Sequence, residues 1–226
     1  MKKSLYILLL LTVVATGCEK HESASYPKHL IRGYLEGTYE LCYDDLFVSV
    51  EIKGEGRRYY DSPDAVLPTD ERYLELARRN GDTCFYQPTY SLWYMDRGAW
   101  ADNFRSLSIV SDGDWDDNHP AGTPLDDLFE VSFAVYGPYI RNGYIYIGDP
   151  AFSLYCYTSI TKRMDQLEPE DMEVIHNSGP ALYIRSYPTL ARKHTLTLRI
   201  TTTDGKVHTP SVTCIPKPYD PQTNDR

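Results

Sequence analysis

A chain of 226 residues with 32 acidic and 23 basic side chains carries a formal charge of −9. That balance disfavours nucleic acid and anionic lipid headgroups as partners of the folded part. Hydrophobic residues make up 42% of the chain, and about 200 residues beyond the first segment suit one large β domain or two small ones, so core size does not limit stability.

The first segment reads as an export signal. Lys2 and Lys3 precede an apolar run from Leu5 to Val14, and Ala15, Thr16 and Gly17 place small side chains directly before Cys18. The run is too short to span a bilayer, which takes about 20 residues. Small residues followed by cysteine resemble the lipobox of bacterial lipoproteins, with Ala15 where leucine is more usual. The resemblance implies that the Cys18 thiol receives diacylglycerol and that cleavage leaves Cys18 as an acylated N-terminus, anchored without a spanning helix. Loss of residues 1–17 removes Lys2 and Lys3 and no acid, so the mature part carries −11.

Residues 18–28 then read as a lipidated N-terminus and polar tether, 29–218 as a single β domain, and 219–226 as a disordered tail. Within the domain, β-branched and aromatic runs alternate with Gly, Pro, Asp and Asn. They predict strands at Tyr34 to Tyr43, Leu46 to Lys53, Phe104 to Val110, Phe129 to Tyr136, Tyr144 to Ile147, Ala181 to Tyr187, His194 to Thr203 and Lys206 to Cys214. About eight strands suit an all-β, immunoglobulin-like β-sandwich. A helix capped by Thr69 or Asp70, with Tyr73, Leu74 and Ala77 at helical spacing, ends at Asn80-Gly81. A shorter one is expected over Glu168 to Ile175, opened by Pro169. Near the C-terminus, Leu196, Leu198 and Ile200 alternate with polar residues before Asp204-Gly205, which predicts a hairpin with a type I′ turn.

Export places the remaining cysteines in an oxidising setting. Cys42, Cys84, Cys156 and Cys214 allow two disulfides by three pairings, and none lies in a metal-binding Cys-x-x-Cys pair.

The leader, the segment His119-Pro120-Ala121-Gly122-Thr123-Pro124-Leu125-Asp126-Asp127-Leu128-Phe129, the Leu167 to Ile175 helix and the Thr-rich Asp-Gly hairpin together resemble cell-envelope lipoproteins of the Bacteroides group, a family of unknown function. The resemblance implies outer-membrane attachment, with surface exposure compatible, and an immunoglobulin-like sandwich. It carries over no functional residue.

Two constellations can carry chemistry. Asp112, Asp114 and Asp116, with Asp117 and Asn118, begin like a calcium loop, but Asp117 and Thr123 stand where the glycine and the bidentate glutamate belong. Asp, Asn, Gly and Pro are equally what a turn demands. Calcium is therefore the one cofactor weighed. The second constellation is aromatic: Trp93, Tyr94 and Trp100, beside Asp96, Arg97 and Asp102, can stack on sugar rings, although aromatic side chains also fill sandwich cores. No hydrolase elbow, zinc motif or nucleotide loop is present, and His29, His119, His176, His194 and His208 are scattered. The expected role is a lipid-anchored, non-catalytic binding or structural protein of the cell envelope, partnered by the membrane through its lipid and by a glycan or protein. The alternative is a lipoprotein hydrolase of glycans or peptides with acids near Asp112 to Asp117.

Overall fold

Strict alternation of buried and half-exposed residues marks the strands that make the main core. A computed structural model describes residues 29–54, 56–60, 70–85, 97–145 and 156–218. In chain order it contains β1 (Gly33–Glu36), β2 (Tyr39–Tyr43), β3 (Val48–Ile52), β4 (Arg57–Tyr60), α1 (Glu71–Arg79), β5 (Gly98–Trp100), β6 (Phe104–Ser111) and β7 (Phe129–Val135). There follow α2 (Gly137–Arg141), β8 (Thr158–Arg163), β9 (Ala181–Ile184), β10 (His194–Thr202), β11 (Val207–His208) and β12 (Ser211–Cys214).

Two antiparallel sheets form the sandwich. One runs β2–β3–β9–β7–β8, and the other sets β10 between β6 and the successive short strands β12 and β11. Along β7, Phe129, Val131, Phe133 and Val135 turn inward, and along β10 Leu196, Leu198 and Ile200 do the same from the facing sheet. This period of two buries one face of each sheet and leaves the other in water. Trp100 and Trp115 are the largest fully buried side chains, and the indole Nε1 of Trp115 donates to Ser186 O at 2.9 Å.

A third sheet, β4–β1–β5, with β1 antiparallel to β4 and parallel to β5, encloses a second core with α1. Asp70 caps α1 by accepting from Arg72 N, and Gly81 just past its end has φ +70°. Tyr73, Leu76 and Ala77 from the helix pack among Leu30, Ile31, Tyr34 and Tyr59. The buried Asp82 carboxylate ties the layer together, accepting from Leu30 N (2.8 Å), Ile31 N (2.9 Å) and Tyr144 Oη (3.0 Å). Asn103 joins the second core to the sandwich: its amide donates to Asn80 Oδ1 and its Oδ1 accepts from Val174 N, both at 2.9 Å.

The all-β sandwich follows the sequence, with differences in particular elements. The run Tyr34 to Tyr43 is broken at Gly37-Thr38 into β1 and β2, which join different sheets. The run Lys206 to Cys214 is likewise split into β11 and β12, and β4, β5 and β8 are additional strands, so the described residues hold twelve. At Tyr144 there is no strand, because Gly143 and Tyr144 both adopt left-handed φ (66° and 64°) as the chain leaves α2; Ile147 lies outside the described residues. The second helix is a pair of 3-10 turns, Met164–Gln166 and Pro169–Met172, the latter closed by a reciprocal Glu168–Asp171 capping box. The hairpin is present, but only Gly205 has positive φ (88°), and Thr202 N donates to Lys206 O while Gly205 N donates to Thr202 O. That is a three-residue loop with glycine in the left-handed position rather than a type I′ turn.

Candidate functional site

Gly33 and Gly98 sit opposite each other in the parallel β1–β5 ladder, so one cross-strand pair lacks both side chains. One step along the same face, Leu35 and Trp100 pack into or against the main core. On the other side of β1, Tyr60 pairs with Gly33 and Arg58 with Leu35. The missing side chains open a notch of about 70 Å³ whose side-chain walls include Arg32, Arg58, Tyr60 and Asn177. Through shared Leu35 and Arg58, the notch runs on into an open depression of about 630 Å³ beside Gly54 and Gly56.

Each wall is positioned by its element. The Tyr60 ring lies against Gly33, where an added Cβ would come within 3.1 Å of a ring carbon, and Tyr60 still presents 54% of its surface to solvent. Asn177 is held from both sides, its N–H donating to Gly98 O (3.1 Å) and its carbonyl accepting from Trp100 Nε1 (3.3 Å). Arg32 is fixed through its backbone N–H, which donates to Arg97 O at 2.9 Å. The site thus combines guanidinium and amide donors with one exposed aromatic face, chemistry suited to holding a polar ligand.

Arg97 lies beside this site and is the electrostatic anomaly of the fold. It is 3% exposed, and neither Nε nor Nη1 has a hydrogen-bond partner. Its guanidinium sits 5.4 Å from the centroid of the Phe85 ring. Burial holds its pKa below the ordinary arginine value, and repulsion from Arg32 adds to that.

The acidic loop is built differently from a calcium site. Asp112 accepts from Thr195 N (2.6 Å), Asp114 from Ala121 N (2.8 Å) and Asp116 from Asn118 N (2.8 Å) and His119 N (2.9 Å). Asp112 ties the loop to β10, Asp114 spans the loop and Asp116 closes a local turn, so the three carboxylates are spent on backbone N–H groups and do not form a donor cluster; of the two readings of this segment, the turn describes it and the calcium loop does not. Among the described residues, the one set of three His, Cys, Asp or Glu donors within 4.8 Å of one another is Glu40, Cys42 and Glu51 on the β2–β3 pair. Burial, then the charges of Glu51 and Glu40, raise the Cys42 pKa, so the free thiol is protonated at neutral pH.

Of the two readings of the aromatic stretch, Trp100 follows the one in which aromatics fill the core. Trp100 is 1% exposed and packs on Tyr39 and Phe104 at ring-centroid distances of 5.2 and 5.8 Å, so it belongs to the core and presents no stacking face. Trp93 and Tyr94, like Cys18, lie outside the described residues. Asp102 is buried and accepts from Tyr39 Oη at 2.9 Å.

Cys42, Cys84, Cys156 and Cys214, which the sequence allows to bridge, stand as free thiols. Cys214 turns into the main core and Cys156 into the second core, whereas Cys42 lies beside Glu40 and Glu51, and Cys84 is exposed beyond α1. Burial pushes the Cys214 thiol up to about 11 and raises that of Cys156, which makes both poor nucleophiles at neutral pH.

Two histidines find partners invisible in the sequence. Ser111 Oγ lies 2.7 Å from His194 Nδ1, and His194 Nε2 lies 3.0 Å from Ala191 O. The pair has the contacts of a nucleophile and base, yet Ser111 is 2% and His194 0% exposed, with the Trp115 ring tilted against the imidazole at a centroid distance of 4.8 Å. Substrate cannot reach it, and the Ser111 hydroxyl also accepts from Gly113 N (3.1 Å). The pair pins the acidic loop to β10.

His119 bridges Asp116 (2.8 Å) and Asp127 (3.3 Å). The hydrogen bond that His119 donates to Asp116 chiefly raises the His119 pKa above 6.5, and the same bond chiefly lowers that of Asp116 below 3.8. The raised His119 value gives stability that is complete below 6.5 and fades as pH rises through the folded pKa; the lowered Asp116 value gives stability present above 3.8 and lost on acidification. The melting temperature of His119→Gln should therefore fall further below that of the parent at pH 5.5 than at pH 9. An equal gap at both pH values would contradict the pairing.

The residues of the notch escaped sequence reasoning because Gly33, Tyr60, Gly98 and Asn177 come from four distant segments. The one local signal is Arg57-Arg58-Tyr59-Tyr60, in which strand alternation gives each face an arginine and a tyrosine. Comparison of the chain with protein-family models, with curated proteins and with solved structures finds no match.

Proposed function

We propose that the protein is a lipid-anchored component of a bacterial cell envelope whose β domain binds a ligand without transforming it. The anchor reading rests on Lys2, Lys3, the apolar run and Cys18, and the tether 18–28 sets the domain off the membrane. The observation that carries the binding role is the Gly33–Gly98 notch, a concave, donor-lined feature with an exposed aromatic face, open to a wider groove. An outer-membrane address and a glycan or protein ligand are parts of the same reading.

Two experiments test it. In cells fed labelled palmitate, the parent protein should fractionate with membranes and carry label, and Cys18→Ala should lose both; membrane-bound, equally labelled Cys18→Ala would refute the anchor. On an array of envelope, host and dietary glycans, the purified protein should give signals that fall about fivefold to tenfold in Tyr60→Ala, the loss expected when a stacking contact worth about 1–1.4 kcal/mol is removed. No signal from the parent, or undiminished signal from Tyr60→Ala, would refute the site.

A further inference from the structure

Two arginine side chains meet at the notch in a mature chain of net charge −11. Arg32 and Arg58 line the notch, and Arg97 lies behind it with two unpartnered N–H groups in a nearly dry setting. Asp82, the carboxylate that acts on Arg97 electrostatically, already has its oxygens engaged by Leu30, Ile31 and Tyr144. The Arg97 guanidinium packs on Phe85 and is not part of the notch lining, so an anion in the notch meets Arg32 and Arg58 and acts on Arg97 only through the field that already couples it to Arg32.

The dimensions restrict the anion. At about 10–15 Å³ of probe volume per water, a 70 Å³ notch holds roughly five waters, enough for a carboxylate with a neighbouring hydroxyl and too little for a whole sugar ring. The ring belonging to that carboxylate has a place outside, on the exposed face of Tyr60, and the 630 Å³ depression beyond Arg58 has room for its neighbours along a chain. The floor disfavours a peptide that binds by strand addition, because β1 is already paired on both sides by β4 and β5. Recognition there depends on side chains: guanidinium forks for a carboxylate, an amide for hydroxyls, an aromatic ring for a C–H face.

Building on the binding role proposed above, we infer that the ligand is an acidic oligosaccharide whose carboxylate enters the Gly33–Gly98 notch between Arg32 and Arg58 while its ring lies on Tyr60. The test titrates the purified full-length lipoprotein, held in detergent, with a pentasaccharide of galacturonic acid and with the same saccharide after reduction of its carboxyls. The acidic form should bind at least about tenfold more tightly, the loss of one charge-assisted contact being worth that factor or more. Arg58→Gln should bring the two forms within about twofold of each other, Gly33→Val should weaken the acidic form by filling the notch, and Lys217→Gln, on a different surface, should change neither. Circular dichroism of each variant establishes that it is folded. Equal affinity for both saccharides in the parent overturns the acidic assignment and leaves the binding role standing. Binding of neither, with inorganic phosphate or pentaglutamate bound instead at Arg58, overturns the saccharide assignment; binding of none of the four probes overturns both.

Discussion

Gly179→Ala should destabilise the protein by about 2–5 kcal/mol. Gly179 has φ +71°, and a Cβ built there falls 2.5 Å from Trp100 Cζ2 and 2.5 Å from the Val50 carbonyl oxygen. The left-handed conformation alone costs an alanine about 1–2 kcal/mol. Crowding adds about 1–3 kcal/mol, because a backbone carbonyl of β3 and a buried indole have nowhere to move. Gly143→Ala is the internal control: its φ is +66°, yet nothing lies within 4 Å of the added Cβ, so it meets the conformational cost alone. Urea unfolding should place Gly179→Ala well below Gly143→Ala; equal losses would show that the Trp100–Gly179 contact does not confine the chain. The contact also bears on the site, since Trp100 Nε1 holds the Asn177 carbonyl at the notch.

The second large effect is expected at Asp82. Asp82→Ala strands two buried backbone N–H groups, of Leu30 and Ile31, and the Tyr144 hydroxyl. Each unsatisfied buried group costs about 1–3 kcal/mol, so a loss of about 3–5 kcal/mol follows, with the entry of the chain into β1 as the first element released. Asp82→Asn should be milder, because one oxygen remains to accept while its NH₂ faces a donor. Thermal unfolding with proteolysis at Leu30–Arg32 checks the order, parent above Asn above Ala. A loss under 1 kcal/mol for Asp82→Ala would mean that the carboxylate is not the clamp it resembles.

The parts of the fold legible in the sequence are those decided locally. Leu196, Leu198 and Ile200 announce β10 through alternation, and Asp70 with Asn80-Gly81 brackets α1 through cap chemistry. Where backbone geometry depends on distant partners the sequence is silent. Gly37-Thr38 looks like the middle of a strand until the two halves are seen in different sheets, and β5 is three residues whose pairing with β1 spans more than sixty positions. The same limit governs function. Asp112, Asp114 and Asp116 have the composition of a metal loop and of a turn alike, and only the positions of Thr195, Ala121 and His119 decide for the turn. Trp100 has the composition of a stacking platform, but its neighbours Tyr39 and Phe104 bury it, while Tyr60, unremarkable in sequence, keeps an open face because Gly33 lies beneath it.

Amide hydrogen exchange with and without the galacturonic acid pentasaccharide tests the binding account most directly. Protection is predicted at 32–35, 57–60, 98–99 and 177, the backbone around the notch and its groove. Protection confined instead to the other open depression, lined by Tyr43, Arg192, Lys193 and Lys217, would contradict it.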